Sequence, residues 1–195
     1  MALTVGLFVF DDMEMLDYAG PYQVFATASR LAETESGESA FSLVTIGLSD
    51  GPVRVRAGAH VVPDATIAAH PPLDCLIIPG GLAGVDALIE AGDAVTWLTT
   101  QAEEVPLVAT VCTGAFLLAQ TGLLAGLEAT THYEECDALR RRFPTITVVD
   151  NRRWVNSGRY VTSAGVSAGI DMALYLVERL TTRDLSVATA RRLEL

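Results

Sequence analysis

Val105-Pro106-Leu107-Val108-Ala109-Thr110-Val111-Cys112-Thr113-Gly114-Ala115-Phe116 is an apolar run that stops abruptly at a cysteine. Its first part is β-branched and has the length of a strand buried on both faces, whereas Gly114-Ala115-Phe116-Leu117-Leu118-Ala119 has helical spacing and no alternation. Cys112 therefore falls where a strand turns into a helix. The arrangement predicts a nucleophile elbow, in which a sharp turn lifts one side chain above the carboxyl edge of a parallel sheet. A thiol so placed is expected to feel the unpaired N–H groups of the helix start, which favour thiolate.

Working outward, Leu73 to Ile78 reads as a second buried strand that ends in Pro79-Gly80-Gly81. Paired glycines at a strand end permit a backbone closed to other residues and expose N–H groups. A helical region from about Gly84 to Glu104, broken near Gly92-Asp93, joins it to the elbow strand. At the start of the chain, Leu3 to Phe10 reads as a strand, and Pro21 marks where a helix begins and runs to about Ala32. Asp17 then lies in a strand-to-helix connection, on the edge where Cys112 stands. Phe41 to Ile46 is another strand, and the segment from Pro52 to Pro63 is a hairpin that decorates the core. Downstream, Ala129 to Tyr133 reads as a short strand, Glu135 to Arg142 as a helix and Thr145 to Val149 as a strand. A hairpin from Arg153 to Thr162 follows, then a helix opening at Ser163 and a last one from Asp184. This alternation predicts an α/β fold: a doubly wound, mostly parallel sheet with helices on both faces.

No linker or repeat interrupts the 195 residues, so residues 1–195 are expected to form one domain. Half the residues are hydrophobic, enough for a large core and for an apolar patch that would support a homo-oligomer. A formal net charge of −11 argues against nucleic acid as a partner, since phosphate binding needs clustered basic surface, and Arg140-Arg141-Arg142 suits a helix end. No run is long enough to span a membrane, and the three cysteines, Cys75, Cys112 and Cys136, form no CxxC pair, which fits free thiols in a cytoplasmic location.

Cys75 and Cys136 read as small buried hydrophobes, and only Cys112 has the context of a nucleophile. His132 is the residue type most often paired with a reactive thiol, but a strand residue there can face either the site or the core. Asp17 alone could equally cap a helix. His60 and His70 read as surface residues. No clustered His/Cys spacing points to a metal, and no GxGxxG or P-loop to a nucleotide, so no metal or cofactor is expected.

Five stretches in order, Asp17-Tyr18-Ala19-Gly20-Pro21, Leu76-Ile77-Ile78-Pro79-Gly80-Gly81, Val111-Cys112-Thr113-Gly114-Ala115, Ala129-Thr130-Thr131-His132 and Ser163-Ala164-Gly165 with Gly169-Ile170-Asp171, resemble the ThiJ/PfpI superfamily of class I glutamine-amidotransferase-like proteins. Within it the resemblance is nearest to isonitrile hydratases and to the amino-terminal domains of AraC-type regulators. It implies a flavodoxin-like sandwich, a homodimer and a cysteine at the elbow. The superfamily's proteases and deglycases usually carry a Glu near the first helix and often a His after the cysteine; Asp17 and Thr113 stand there instead. Asp with Cys-Thr-Gly is the isonitrile hydratase pattern, in which the matching Asp17, Cys112 and Thr113 would be functional. An amidotransferase triad would need His and Glu near Ser163-Ala164-Gly165, which supplies neither.

The implied reaction is hydration of a small-molecule isonitrile to an N-substituted formamide, with Cys112 attacking the terminal carbon and Asp17 as general acid and then base. Burial among Leu16, Tyr18 and Ala19 would bring the Asp17 pKa towards working pH. Thr113 would hydrogen-bond the reacting atoms, the N–H groups at Gly80-Gly81 and Thr113 would receive negative charge, and His132 would border the substrate. The competing readings are a ligand-sensing domain without turnover and a cysteine-dependent glyoxalase or hydrolase acting on another small electrophile.

Overall fold

The computed structural model describes residues 1–195. In chain order the elements are β1 (Leu3–Phe8), α1 (Met15–Ser36), β2 (Phe41–Gly47), β3 (Val53–Arg54), β4 (His60–Val61), β5 (Ala65–Thr66), β6 (Cys75–Ile78), α2 (Leu82–Ala91), α3 (Asp93–Glu104), β7 (Leu107–Val111), α4 (Gly114–Gln120), β8 (Glu128–Ala129), α5 (Cys136–Arg142), β9 (Thr147–Val148), β10 (Trp154–Ser157), β11 (Tyr160–Ser163), α6 (Ala168–Leu180) and α7 (Arg183–Arg192). A seven-stranded sheet runs β10-β11-β7-β6-β1-β2-β5, parallel throughout except for β10. Strands β6 and β7 are buried along their whole length, as apolar strands covered on both faces must be.

Two apolar layers clothe the sheet. Helices α1, α6 and α7 pack on one face, where Val24, Phe25, Ala28, Met172, Ala173, Leu176 and Val177 meet Val5, Leu7, Ile77 and Ala109. Helices α2, α3 and α4 cover the other, where Val85, Leu98, Trp97, Leu117 and Leu118 meet Phe8, Leu76, Ile78 and Val108. This is the doubly wound α/β sheet that the alternation of elements predicts, and the flavodoxin-like sandwich that the resemblance implies. No helix is long and apolar enough to cross a membrane.

Several boundaries differ from the expected ones. Helix α1 starts at Met15, with Pro21 inside it, so Asp17 belongs to its first turn and not to the preceding connection. Helix α6 opens at Ala168 after a tight loop over Ala164–Ser167, and β1 ends at Phe8. His132 is not a strand residue: β8 stops at Ala129, and the His132 ring accepts a hydrogen bond from the Glu134 N–H at the start of a 3-10 turn, Tyr133–Glu135. Helix propensity and strand pattern are weak over such short spans, and contacts distant in sequence decide them.

The β3–β4 hairpin is structural rather than decorative. Asp12 N–H donates to Arg54 O, Arg54 N–H to Asp11 Oδ1 and Arg56 N–H to Met13 O, so the hairpin is stitched to the loop between β1 and α1. Val53 and Val55 are buried, and Arg56 projects beside Glu14, 3.5 Å away. The hairpin thus helps to fix the segment that carries Asp17.

Candidate active site

Register brings the strand ends together. Ile78 of β6 lies level with Thr110 of β7, and Val111 of β7 with Ser163 of β11, so Pro79, Cys112 and Ala164 emerge at one carboxyl edge. The edge spans the place where the strand order reverses, since β2 lies to one side of β1 and β6 to the other. Loops after β1, β6, β7 and β11 converge there.

Cys112 has φ 55°, the left-handed conformation required of an elbow residue. Main-chain bonds hold it on both sides: its N–H donates to Ser163 O at 3.1 Å, and its carbonyl accepts the Thr131 hydroxyl at 2.8 Å. Gly114 lets α4 start close against β6, because a Cβ there would lie 2.4 Å from Ile78 O. Cys112 is 9 % exposed and lines a pocket of about 180 Å³ together with Glu14, Arg56, Gly81, Leu82 and Thr113. His132, Glu134, Glu135 and Val166 complete the lining.

Asp17 is wholly buried. Its Oδ2 accepts the Gly80 N–H at 3.1 Å and its Oδ1 the Val166 N–H at 3.2 Å. Burial raises its pKa to about 6, helped by the nearby Glu14 charge and opposed by the two N–H donors. The same burial, followed by the negative field of Asp17, pushes the Cys112 thiol up to about 12, against hydrogen bonds from the Thr113 N–H and hydroxyl. This corrects the expectation of a thiolate: desolvation outweighs the pull of the helix start, and near neutral pH the proton sits on sulfur while Asp17 is largely ionised.

The glycine amides are committed. Gly80 N–H belongs to Asp17, and Gly81 N–H donates to Thr113 Oγ1 at 2.9 Å, so neither is free to receive charge from a substrate. Their part is packing: a Cβ on Gly80 would lie 2.7 Å from Thr113 N and 2.9 Å from Asp17 Oδ2. Thr113 relays between loops, accepting from Gly81 while bonding the sulfur. His132 borders the pocket with its side chain 24 % exposed, its Nδ1 accepts the Glu134 N–H at 3.4 Å, and the ionisable side chain whose charge shifts the thiol is Asp17. Cys75 and Cys136 are buried free thiols, as expected, whereas His70 accepts the Trp97 indole N–H at 3.0 Å. No group of three or more His, Cys, Asp or Glu side chains converges as a metal site.

Sequence reasoning missed Thr131, Val166, Arg56, Glu14 and Leu82. Thr131, Val166 and Glu14 lie in or beside stretches that carry sequence signals, next to His132, Gly165 and Asp17, whereas Arg56 and Leu82 reach the site through tertiary contacts alone.

Comparison with known proteins places this geometry. The chain is 34% identical over 195 residues to the isonitrile hydratase of Pseudomonas putida, covering all of this chain and 79% of that one. It is 30% identical over 185 residues to the HTH-type transcriptional regulator GbdR of Pseudomonas aeruginosa, of whose length it spans about half, 48%. Among solved structures, a ThiJ/PfpI family protein from Pseudomonas syringae superposes with a TM-score of 0.88 at 27% identity, over 100% of this chain and 75% of that one. Drosophila melanogaster DJ-1beta gives 0.84 at 21% identity, over 100% and 99%, and so shares the fold. The DJ-1/PfpI family model matches residues 3–179, and the chain belongs to that family.

Proposed function

We propose that the protein hydrates isonitriles to N-substituted formamides at Cys112. The observation that carries this reading is a buried carboxyl, Asp17, set against a thiol that has no histidine base, with the Thr113 hydroxyl on the sulfur. An isonitrile carbon must gain a sulfur and a proton at one atom, and a thiol shared with a carboxylate supplies both.

As the sulfur attacks, Asp17 takes the thiol proton and delivers it to the same carbon. The S–H bond breaks, the C–S and C–H bonds form, and a thioimidate results. Asp17, ionised again, draws a proton from water as the water oxygen adds to that carbon and passes it to the nitrogen, which leaves the carboxylate ionised once more. Collapse then forms C=O and breaks C–S, with the hydroxyl proton returning to sulfur through Asp17. Leu82 and Val166 give the pocket apolar wall for a neutral substituent. The reading includes a homodimer and needs no metal or cofactor.

Conversion of cyclohexyl isocyanide to N-cyclohexylformamide tests it. Cys112→Ala should abolish turnover, and Asp17→Asn should lower kcat by about 10²- to 10⁴-fold, the usual range for a lost proton-transfer group. Turnover intact in either variant would sink the mechanism. A second reading, a ligand-sensing domain without turnover, is favoured by the similarity to the regulator GbdR. It predicts saturable binding of a small molecule with no product, and methylglyoxal assayed alongside separates a glyoxalase from both.

A further inference from the structure

We propose that Val166 is a positioning residue: its left-handed backbone aims its N–H at Asp17 and fixes the carboxyl in the plane that serves Cys112. The starting point is an outlier. Val166 has φ 52°, a region that β-branched residues rarely enter because Cβ crowds the carbonyl oxygen. Such a conformation persists only where its surroundings over-determine it, and such sites concentrate where function needs them.

The surroundings are specific. Val166 N–H donates to Asp17 Oδ1 at 3.2 Å, and Val166 O accepts the Gly169 N–H at 3.2 Å, which ties the loop to the start of α6. On its other side, Gly165 lies flush against His132, where a Cβ would stand 2.2 Å from the ring. The loop is thus clamped between a pocket-wall histidine and the buried carboxyl. Gly80 holds Oδ2 and Val166 holds Oδ1, so two N–H groups from different loops fix both oxygens and remove rotation of the carboxyl. Val166 lines the same pocket as Cys112, which makes the backbone that sets the carboxyl the same one that borders an occupant of the pocket.

The ionisable groups facing Asp17 are Glu14, from the segment before α1 and itself paired with Arg56 of the hairpin, and Cys112 of the elbow. The loops after β6 and β11 offer it backbone N–H groups only, with His132 beyond Gly165. Removing the Val166 N–H takes a donor from the carboxylate and raises the pH at which Asp17 ionises.

The role matters to catalysis only on the reading that Asp17 moves the Cys112 proton, so the test measures Asp17 directly and does not need turnover. The Val166 amide is replaced by an ester with the α-hydroxy analogue of valine, and the aspartate carboxyls are titrated by carbon-13 NMR, Asp17 being assigned by its loss in Asp17→Asn. The ester should raise the Asp17 midpoint, lowering its acid dissociation constant by about three- to tenfold, as expected for one lost charge-assisted bond. Val166→Gly keeps the N–H and accepts a positive φ, and should titrate within about twofold of the parent. An unchanged midpoint in the ester, or an equal shift in the glycine variant, overturns the proposal.

A second probe covers an ester protein that does not fold. In Asp17→Ala, hydrogen exchange at the Val166 amide should accelerate by at least about tenfold while that at Val161 in β11 holds, and unchanged exchange at Val166 overturns the assignment. If the midpoints move as stated and no form converts isonitriles, the hydratase reading fails and the positioning role stands. If turnover is present, the acid limb of kcat in the ester should move to higher pH with the midpoint.

Discussion

Near neutral pH the Cys112 and Asp17 pair holds one proton, and it rests on the sulfur. With the thiol near 12 and Asp17 near 6, removing the carboxylate charge lowers the thiol pKa and enlarges the thiolate fraction at a fixed pH. Asp17→Asn should therefore alkylate faster with iodoacetamide at pH 8, by about tenfold at Cys112, even as isonitrile turnover falls. Mass spectrometry of the Cys112 peptide reads this, and slower alkylation would mean that Asp17 activates the thiol instead of holding its proton. Cys112 was legible in the sequence because one strand pattern and one helix pattern meet at it. Its protonation was not, because it depends on Asp17, which is buried beside the elbow by contacts distant in sequence, among them that with Gly80, 63 residues along the chain.

Fully apolar strands such as β6 and β7, and helices with a repeating apolar face such as α3 and α6, could be read from pattern, since either leaves little choice. Helix α1 could not be read in full. Proline favours a helix start, yet here six helical residues precede Pro21, still within the first two turns, and Gly20 lets this part of α1 close on Ile170 of α6, where a Cβ would lie 2.9 Å from its side chain. The segment from Thr130 to Glu135 was misread for the same reason: its conformation is dictated by the loop it touches, Gly165 against His132. That contact predicts a coupled pair. Gly165→Ala should cost about 1–3 kcal/mol of stability by forcing the ring aside. Adding His132→Ala should recover most of the loss, and a double-mutant cycle from urea unfolding measures the coupling. Additive costs would mean that the alanine strains its own backbone and not the ring.

For the molecule as a whole, the site weighs on the fold it belongs to. Asp17 moves from an ordinary 3.8 to about 6 on folding, so the folded protein binds a proton that the unfolded chain has already released over that interval. The sign is fixed by linkage: the stability tied to this group is fully present below about pH 4 and is lost as pH rises through 6, about 3 kcal/mol in all as an upper bound. Above pH 7 the two apolar layers therefore carry a buried carboxylate that they would tolerate better as a neutral group. Asp17→Asn keeps one acceptor oxygen of the two that Gly80 and Val166 use, which leaves a net gain of roughly 1–2 kcal/mol at pH 8. Urea unfolding of the two proteins should show the variant ahead at pH 8, the gap closing as pH falls through 6, and the variant behind by roughly 1–2 kcal/mol at pH 4. The self-repulsion of a chain with net charge −11 changes with pH too, but it is nearly common to both proteins and drops out of the difference. A gap of constant size across that range would mean that the substitution acts through packing, and that Asp17 ionises as an ordinary carboxylate. A gap that closes and reverses would mark Asp17 as a residue kept ionised at the expense of stability, the trade expected of a working acid–base group.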